Sequence, residues 1–324
     1  MLTRFKKTAV ALAATVSVSL ALAGAVYAQQ KTMAIGTGGT GGVYYPLGGA
    51  IANVLSKALP NTQATAEVTG GSVDNLKLIA SGQSELGFSM ADAALDAFNG
   101  QDKFKTKVPL QTLLVVYPNR MHIVTVDGTG IEKMSDLKGK RVSTGSPGSA
   151  TEVMAFRVLE AAGLDKDKDV KRERLGVAES VNAIKDRKSD AFMWVGGVPT
   201  AAVTDLAATP GMKMKLIDHS DLAEKMNAKY GKLYSASNIA KTIYPGMDKD
   251  NANTEVWNII VTGDKMSNDD AYNIVKTLVE KKADIVAVHK EAESFSLNNQ
   301  IQERSPVPFH PGALKYFKEK VIGG

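Results

Sequence analysis

Two stretches of this chain carry the same succession of short strands and helices in nearly the same register. That repetition constrains the fold more than any other feature. In the first stretch, Met33-Ala34-Ile35 reads as a strand and Gly36 to Gly42 as a glycine-rich loop. A helix follows with Leu47, Ile51, Val54, Leu55 and Leu59 at helical spacing, stopped by Pro60-Asn61. Ala64 to Thr69 is a second strand, Ser72 caps a helix carrying Val73, Leu76 and Ile79, and Leu86-Gly87-Phe88 is a third strand. The second stretch begins with the strand Arg141 to Thr144 and the turn Gly145-Ser146-Pro147-Gly148. Its first helix carries Met154, Val158, Leu159 and Ala162 and closes at Gly163. A strand near Val170 to Leu175, a helix from Glu179 to Arg187 and the strand Ala191 to Val195 complete it. Thr37 corresponds to Thr144, Ser72 to Ser180 and Ser84-Glu85 to Ser189-Asp190, at offsets of 107, 108 and 105. Each copy is βαβαβ, the pattern of a parallel sheet with crossover helices.

The repeat implies two α/β lobes on one plan. Leu110 to Val116, ended by Tyr117-Pro118, and Glu255 to Val261 are extended apolar segments suited to crossing between them. We therefore place lobe I at residues 29–120 plus 256–324 and lobe II at 121–255. Asp269 to Val288 reads as one long amphipathic helix with Ile274, Leu278 and Ile285 on its apolar stripe, started by Ser267 with Asp270 three residues on. Ser305 to Gly312 is an irregular tail before a short terminal helix.

Residues 1–28 have the parts of a secretory signal. Arg4, Lys6 and Lys7 precede an apolar stretch from Ala9, and Val26-Tyr27-Ala28 supplies the cleavage motif. Thr15, Ser17 and Ser19 interrupt the apolar run, which favours a cleaved signal over a membrane anchor. We expect cleavage after Ala28 and a soluble periplasmic protein. The chain has 0 Cys, which excludes a disulfide scaffold and thiolate metal sites. Its formal charge of +5 owes three residues to the leader, so the basic balance does not argue for nucleic acid.

Gly36-Thr37-Gly38-Gly39-Thr40-Gly41 matches G-x-G-x-x-G after a strand and before a helix. The second strand ends in Thr69-Gly70-Gly71, without the acid a dinucleotide ribose needs, so no nicotinamide cofactor is expected. The loop still offers backbone N–H groups at a helix start, where a carboxylate or phosphate is favoured. Gly145 to Glu152 is a similar device, and its Ser149-x-x-Glu152 also reads as a capping box. Thr69-Gly70-Gly71-Ser72 and Gly196-Gly197-Val198-Pro199-Thr200 follow two further strands. Four small-residue turns at strand ends point to a ligand cleft. Trp194 reads as core, and one of Tyr44 and Tyr45 reads as core packing. Arg120 stands near the crossing segment as either a solvated residue or a partner for an anion. The four His lack metal-ligand spacing and no G-x-S-x-G elbow is present, so neither a metal nor an enzyme is expected.

The segments Ile35 to Pro46 and Glu67 to Leu76 closely resemble the TAXI-family receptors, the substrate-binding proteins of TRAP (tripartite ATP-independent periplasmic) transporters. Leu137 to Ser143, Ser146 to Ser149, Val195 to Thr200, Tyr244-Pro245-Gly246 and Pro308 to Ala313 extend the resemblance over the mature chain. It implies a two-lobed periplasmic binding-protein fold of type II, with a ligand cleft between lobes that closes on a small carboxylate such as glutamate or a dicarboxylate. The implied partner is a TRAP membrane subunit; we expect the receptor itself to be a monomer. The site the resemblance implies draws on Gly38, Gly39, Thr40 and Tyr44, on Thr69, Gly70 and Ser72, and on Ser89, Met90 and Ala91. From the second lobe it draws on Ser146, Ser149, Thr151, Gly196 and Gly197. Asn119-Arg120-Met121 departs from the family pattern of an aromatic or apolar residue near 120, and an Arg there would favour a second carboxylate. Two other readings stay open: a sensory protein for a membrane receptor kinase, and a periplasmic hydrolase.

Overall fold

The computed structural model describes residues 30–322. The leader and its cleavage point after Ala28 lie outside them. The first copy of the repeat opens with β1 (Lys31–Gly36), α1 (Tyr44–Ala58), β2 (Thr62–Glu67), α2 (Ser72–Ala80) and β3 (Leu86–Met90). A helix that periodicity did not reveal, α3 (Ala91–Asn99), leaves β3 directly. The long strand β4 (Leu110–Val126) then leads to the second copy: β5 (Arg141–Ser143), α4 (Ala150–Ala161), β6 (Lys171–Glu173), α5 (Val177–Lys185) and β7 (Ala191–Gly196). After it come α6 (Ala201–Ala207), β8 (Met214–Leu216), α7 (Ala223–Tyr230), β9 (Tyr234–Ile239) and a second long strand, β10 (Asn251–Gly263). The chain closes with α8 (Asn268–Glu280), α9 (Lys282–Val286) and α10 (Pro311–Ile322).

The strands of the described residues form one sheet, in the order β2-β1-β3-β10-β4-β7-β5-β6, with β8 on β4 and β9 on β10. Each copy of the repeat contributes three strands in the same spatial order, β2-β1-β3 and β6-β5-β7. β1 with β3, β5 with β6 and β5 with β7 are parallel, as crossover helices require. The two long strands are antiparallel to their neighbours. β10 pairs β3, β4 pairs β7, and β4 and β10 pair with each other from Leu110/Gly263 to Arg120/Glu255. The sheet is therefore mixed, flanked by helices, and its middle is antiparallel rather than parallel.

Pro118 does not end β4, contrary to the sequence reading. It faces Trp257 where the β4–β10 register shifts, between Trp257 and Ile259. A strand tolerates proline at such an irregularity because the missing N–H costs no regular ladder bond. The helix expected over 269–288 breaks at Lys281 into α8 and α9. Ser267 does cap α8, its Oγ accepting from the Asp270 N–H at 3.1 Å. Ser72 is not a cap. Gly71, at φ 121°, takes that position, and the Ser72 hydroxyl accepts from the Met90 N–H at 3.2 Å. The structural counterpart of Gly71 is Gly176, which precedes α5. Pairing Ser72 with Ser180 thus sets the register about one helical turn late. Ser180 is buried and donates to Ser143 Oγ at 2.8 Å instead.

The larger apolar core gathers β1, β3, β4 and β10 with α1, α4 and α8, around Ile35, Leu47, Phe88, Leu114, Met154, Ile260 and Leu278. A second core holds Val124, Val181, Phe192 and Val203 beneath α5 and α6.

Candidate functional site

The four helices α1, α2, α4 and α5 begin around one cavity of about 370 Å³. Two belong to the first copy of the repeat and two to the second. Val43, Gly71 and Gly176 precede α1, α2 and α5 and place no side-chain oxygen on the first N–H groups of those helices. The first turn of a helix carries N–H groups without intrahelical partners and a partial positive charge. Ser149 does cap α4, accepting from the Glu152 N–H at 3.1 Å. The capping box is only half formed, because Glu152 turns away to Arg174 Nε at 2.6 Å and to Arg172 at 3.4 Å.

The cavity wall includes Gly38, Gly39, Thr40 and Tyr44 from the first loop, and Thr69, Gly70, Ser72 and Met90 from the neighbouring strand ends. Ser146, Ser149, Thr151 and Gly196 face it from the second copy. Three residues of the expected site do not line it. Ser89 is buried with its hydroxyl on the Met90 carbonyl at 2.9 Å, and Ala91 is packed at the start of α3. Gly197 sits behind the wall, where a Cβ would stand 2.8 Å from Glu291 and 2.9 Å from Tyr117. Trp194 packs against the second core, as expected, and also lines the cavity, its Nε1 donating to Thr200 Oγ1 at 2.9 Å. Tyr45 is exposed, whereas Tyr44 stacks on Phe88 at 4.9 Å.

Sequence reasoning missed Tyr117, Asn119 and the turn Gly176 to Glu179, all of which line the cavity. The turn was legible in the repeat, since an offset of 105 from Gly71 falls on Gly176. Asn119 could have been noticed as a polar residue inside an apolar crossing segment. Both Tyr117 and Asn119 are buried, and both hold an atom without a hydrogen-bond partner in the protein, the Tyr117 hydroxyl and Asn119 Oδ1. The Asn119 amide donates to Asn258 Oδ1 at 2.7 Å, and Tyr44 donates to the same oxygen.

Arg120 is half-buried and ion-paired, with its Nε left without a hydrogen-bond partner in the protein. Its guanidinium donates to Glu291 at 3.1 Å and lies 4.0 Å from Glu255. Burial pushes the Glu291 carboxyl above its ordinary range, while the Val198 N–H and Arg120 oppose that shift. Glu291 also accepts the Val198 N–H at 2.7 Å, so the Arg120–Glu291 pair holds the turn after β7 in place.

Contacts between the two copies close the cavity's rim at two places. On one side Ser146 Oγ donates to the Gly70 carbonyl at 3.1 Å, and the Asp74 N–H donates to the Gly148 carbonyl at 3.1 Å. On the other, a Cβ on Gly41 would stand 3.1 Å from Ala178 and 3.3 Å from Ala202. No group of side chains able to hold a metal ion occurs among the described residues. Nor does any described helix have the length and apolarity to cross a membrane.

A mixed sheet of two mirrored βαβαβ units, exchanging one long strand each and facing a cavity at their helix starts, is a fold of the type II periplasmic-binding-protein kind. Residues 35–320 match the NMT1-like family, and the chain belongs to it. Among solved structures it is similar to the alkanesulfonate-binding protein SsuA from Xanthomonas axonopodis pv. citri bound to MOPS. That match has 15% identity and a TM-score of 0.50, covering 91% of this chain and 92% of that one. A protein from Bordetella bronchiseptica RB50 matches with 16% identity and a TM-score of 0.51, over 89% of this chain and 88% of that one. At these identities the likeness is one of fold.

Proposed function

We propose that the protein is a periplasmic solute receptor that captures a small carboxylate between two lobes and delivers it to a TRAP membrane transporter. The observation that carries the reading is the convergence of four helix starts, two from each copy of the repeat, on one cavity rimmed by contacts between the copies. Three of those starts lack a side-chain cap, and the N–H groups of Tyr44, Tyr45, Ser72 and Val73 at the starts of α1 and α2 suit an anion best, because Glu179 already brings a carboxylate to the start of α5. The lobes are residues 29–120 with 256–324, and 121–255, joined through β4 and β10. Binding sites set between two such bodies close by hinge motion. The site residues are Gly38, Gly39, Thr40, Tyr44, Thr69, Gly70, Ser72 and Met90 on one side, and Ser146, Ser149, Thr151 and Gly196 on the other. The carboxylate class, glutamate-like or dicarboxylate, and the TRAP partner rest on the TAXI resemblance of the glycine-rich segments.

The test begins with mass spectrometry of the small molecule released when the purified protein is denatured. That molecule and a panel of small carboxylates are then titrated into stripped protein. A carboxylate should bind, return intact after hours, and reduce the radius of gyration in solution scattering. Failure of every carboxylate to bind removes the reading. Turnover of the bound molecule would show an enzyme instead.

A further inference from the structure

Resting on the receptor reading, we infer that the ligand carries its negative charge at one end only. Its other end is an uncharged hydrogen-bonding group, an amide or a hydroxyl, received by Tyr117 and Asn119. Among the described residues no Lys, Arg or His lines the cavity, and Glu179 is the one ionisable carboxyl on its wall. Arg120, beside Asn119 in sequence, is already engaged by Glu291 and Glu255. The uncapped helix starts can meet one carboxylate, but a second charge would enter a closed space without a cation to balance it.

The floor of the cavity is built for something neutral. The Tyr117 hydroxyl and Asn119 Oδ1 are buried and unpartnered in the protein, and such atoms are rare unless a bound group completes them. A carboxylate placed there would set its oxygens against the carbonyl oxygen of Asn119, acceptor against acceptor. A primary amide matches both atoms: its N–H donates to Asn119 Oδ1 and its carbonyl accepts from Tyr117. A hydroxyl, which both donates and accepts, matches them as well.

The experiment titrates two pairs of probes into stripped protein at neutral pH: glutamine against glutamate, and glutaramate against glutarate. Within each pair only the far end changes, from neutral amide to charged carboxylate. The amide member should bind at least tenfold more tightly in any pair that binds. Tyr117→Phe should lose at least tenfold in amide affinity, while the melting temperature of the unliganded protein stays level or rises, because an unpaired buried hydroxyl has gone. If the carboxylate member binds as tightly or more tightly, this inference falls and the carboxylate-receptor reading stands. An amide preference that Tyr117→Phe leaves unchanged also overturns it. If no member of either pair binds, the inference falls, and the receptor reading falls with it only when the rest of the carboxylate panel fails too.

Discussion

Asp74 and Gly148 meet across the rim of the cavity so closely that a Cβ on Gly148 would stand 2.2 Å from Asp74 Oδ1. The Asp74 N–H donates to the Gly148 carbonyl at 3.1 Å, and Gly148 holds a φ of 79°. Glycine is required there twice over, for the left-handed backbone and for the approach of Asp74.

Gly148→Ala should therefore hold the rim apart. We predict a protein that still folds, because the turn is at the surface of the second unit and not in its core, with ligand affinity lowered at least tenfold. Calorimetric titration against the parent checks this. Adding Asp74→Ala removes the clashing carboxylate and should restore part of the loss. Parent-like affinity in Gly148→Ala would show that this contact plays no part in closure.

A second prediction concerns Arg157, which is buried where α4 meets α3 and β9. It lies 3.6 Å from Asp92 and also pairs with Asp96, and its Nη1 donates to the Tyr234 hydroxyl at 2.8 Å. Tyr234 in turn donates to Asp92 at 2.8 Å, and burial pushes the Asp92 carboxyl above its ordinary range. Removing one member of a buried ion pair leaves the other uncompensated, at about 3–5 kcal/mol. Arg157→Leu should be destabilised by that order in urea unfolding. Pairing it with Asp92→Asn should recover part of the loss, because one of the two stranded carboxyls is gone while Asp96 remains.

The third prediction is one of pH. His219 is buried, which lowers it from its ordinary value to about 4. Its Nδ1 faces the Ile217 carbonyl at 2.8 Å and its Nε2 accepts the Thr254 N–H at 3.3 Å, an arrangement that fits the neutral ring. The unfolded chain takes up this proton near pH 6.5 and the folded one only near 4. The contribution of His219 is thus complete above about 6.5 and lost as pH falls toward 4. Buried Asp92, Asp96 and Glu291 are shifted upward and act in the opposite sense, so the comparison must be with a variant. His219→Gln should lose less stability than the parent between pH 6.5 and 4. Parallel curves would refute the assignment.

The parts of the fold that were legible in the chain are those carried by local pattern. Leu47, Ile51, Val54 and Leu55 place α1 because helical spacing needs no distant partner, and all four are buried. The glycine loop before Tyr44 and the small-residue turn around Ser149 were visible because turn chemistry is local. The helix α3 was not, since it follows β3 directly at Met90–Ala91 with no turn residue to mark its start, and the short strands β8 and β9 owe their existence to the long strands they pair with.

By itself the sequence determined two βαβαβ units, their near-constant offset and the glycine turns at their strand ends, all encoded in spacing and backbone chemistry within about thirty residues. Only the tertiary structure decided that the sheet is continuous, with β4 and β10 running antiparallel through Pro118 at its middle. Only there does Asn119 reach Asn258, 139 residues away, and only there do Tyr117 and Asn119 become the floor of the cavity. Strand pairing over such separations depends on which edges remain open once each unit has formed. Spacing along the chain carries no record of that.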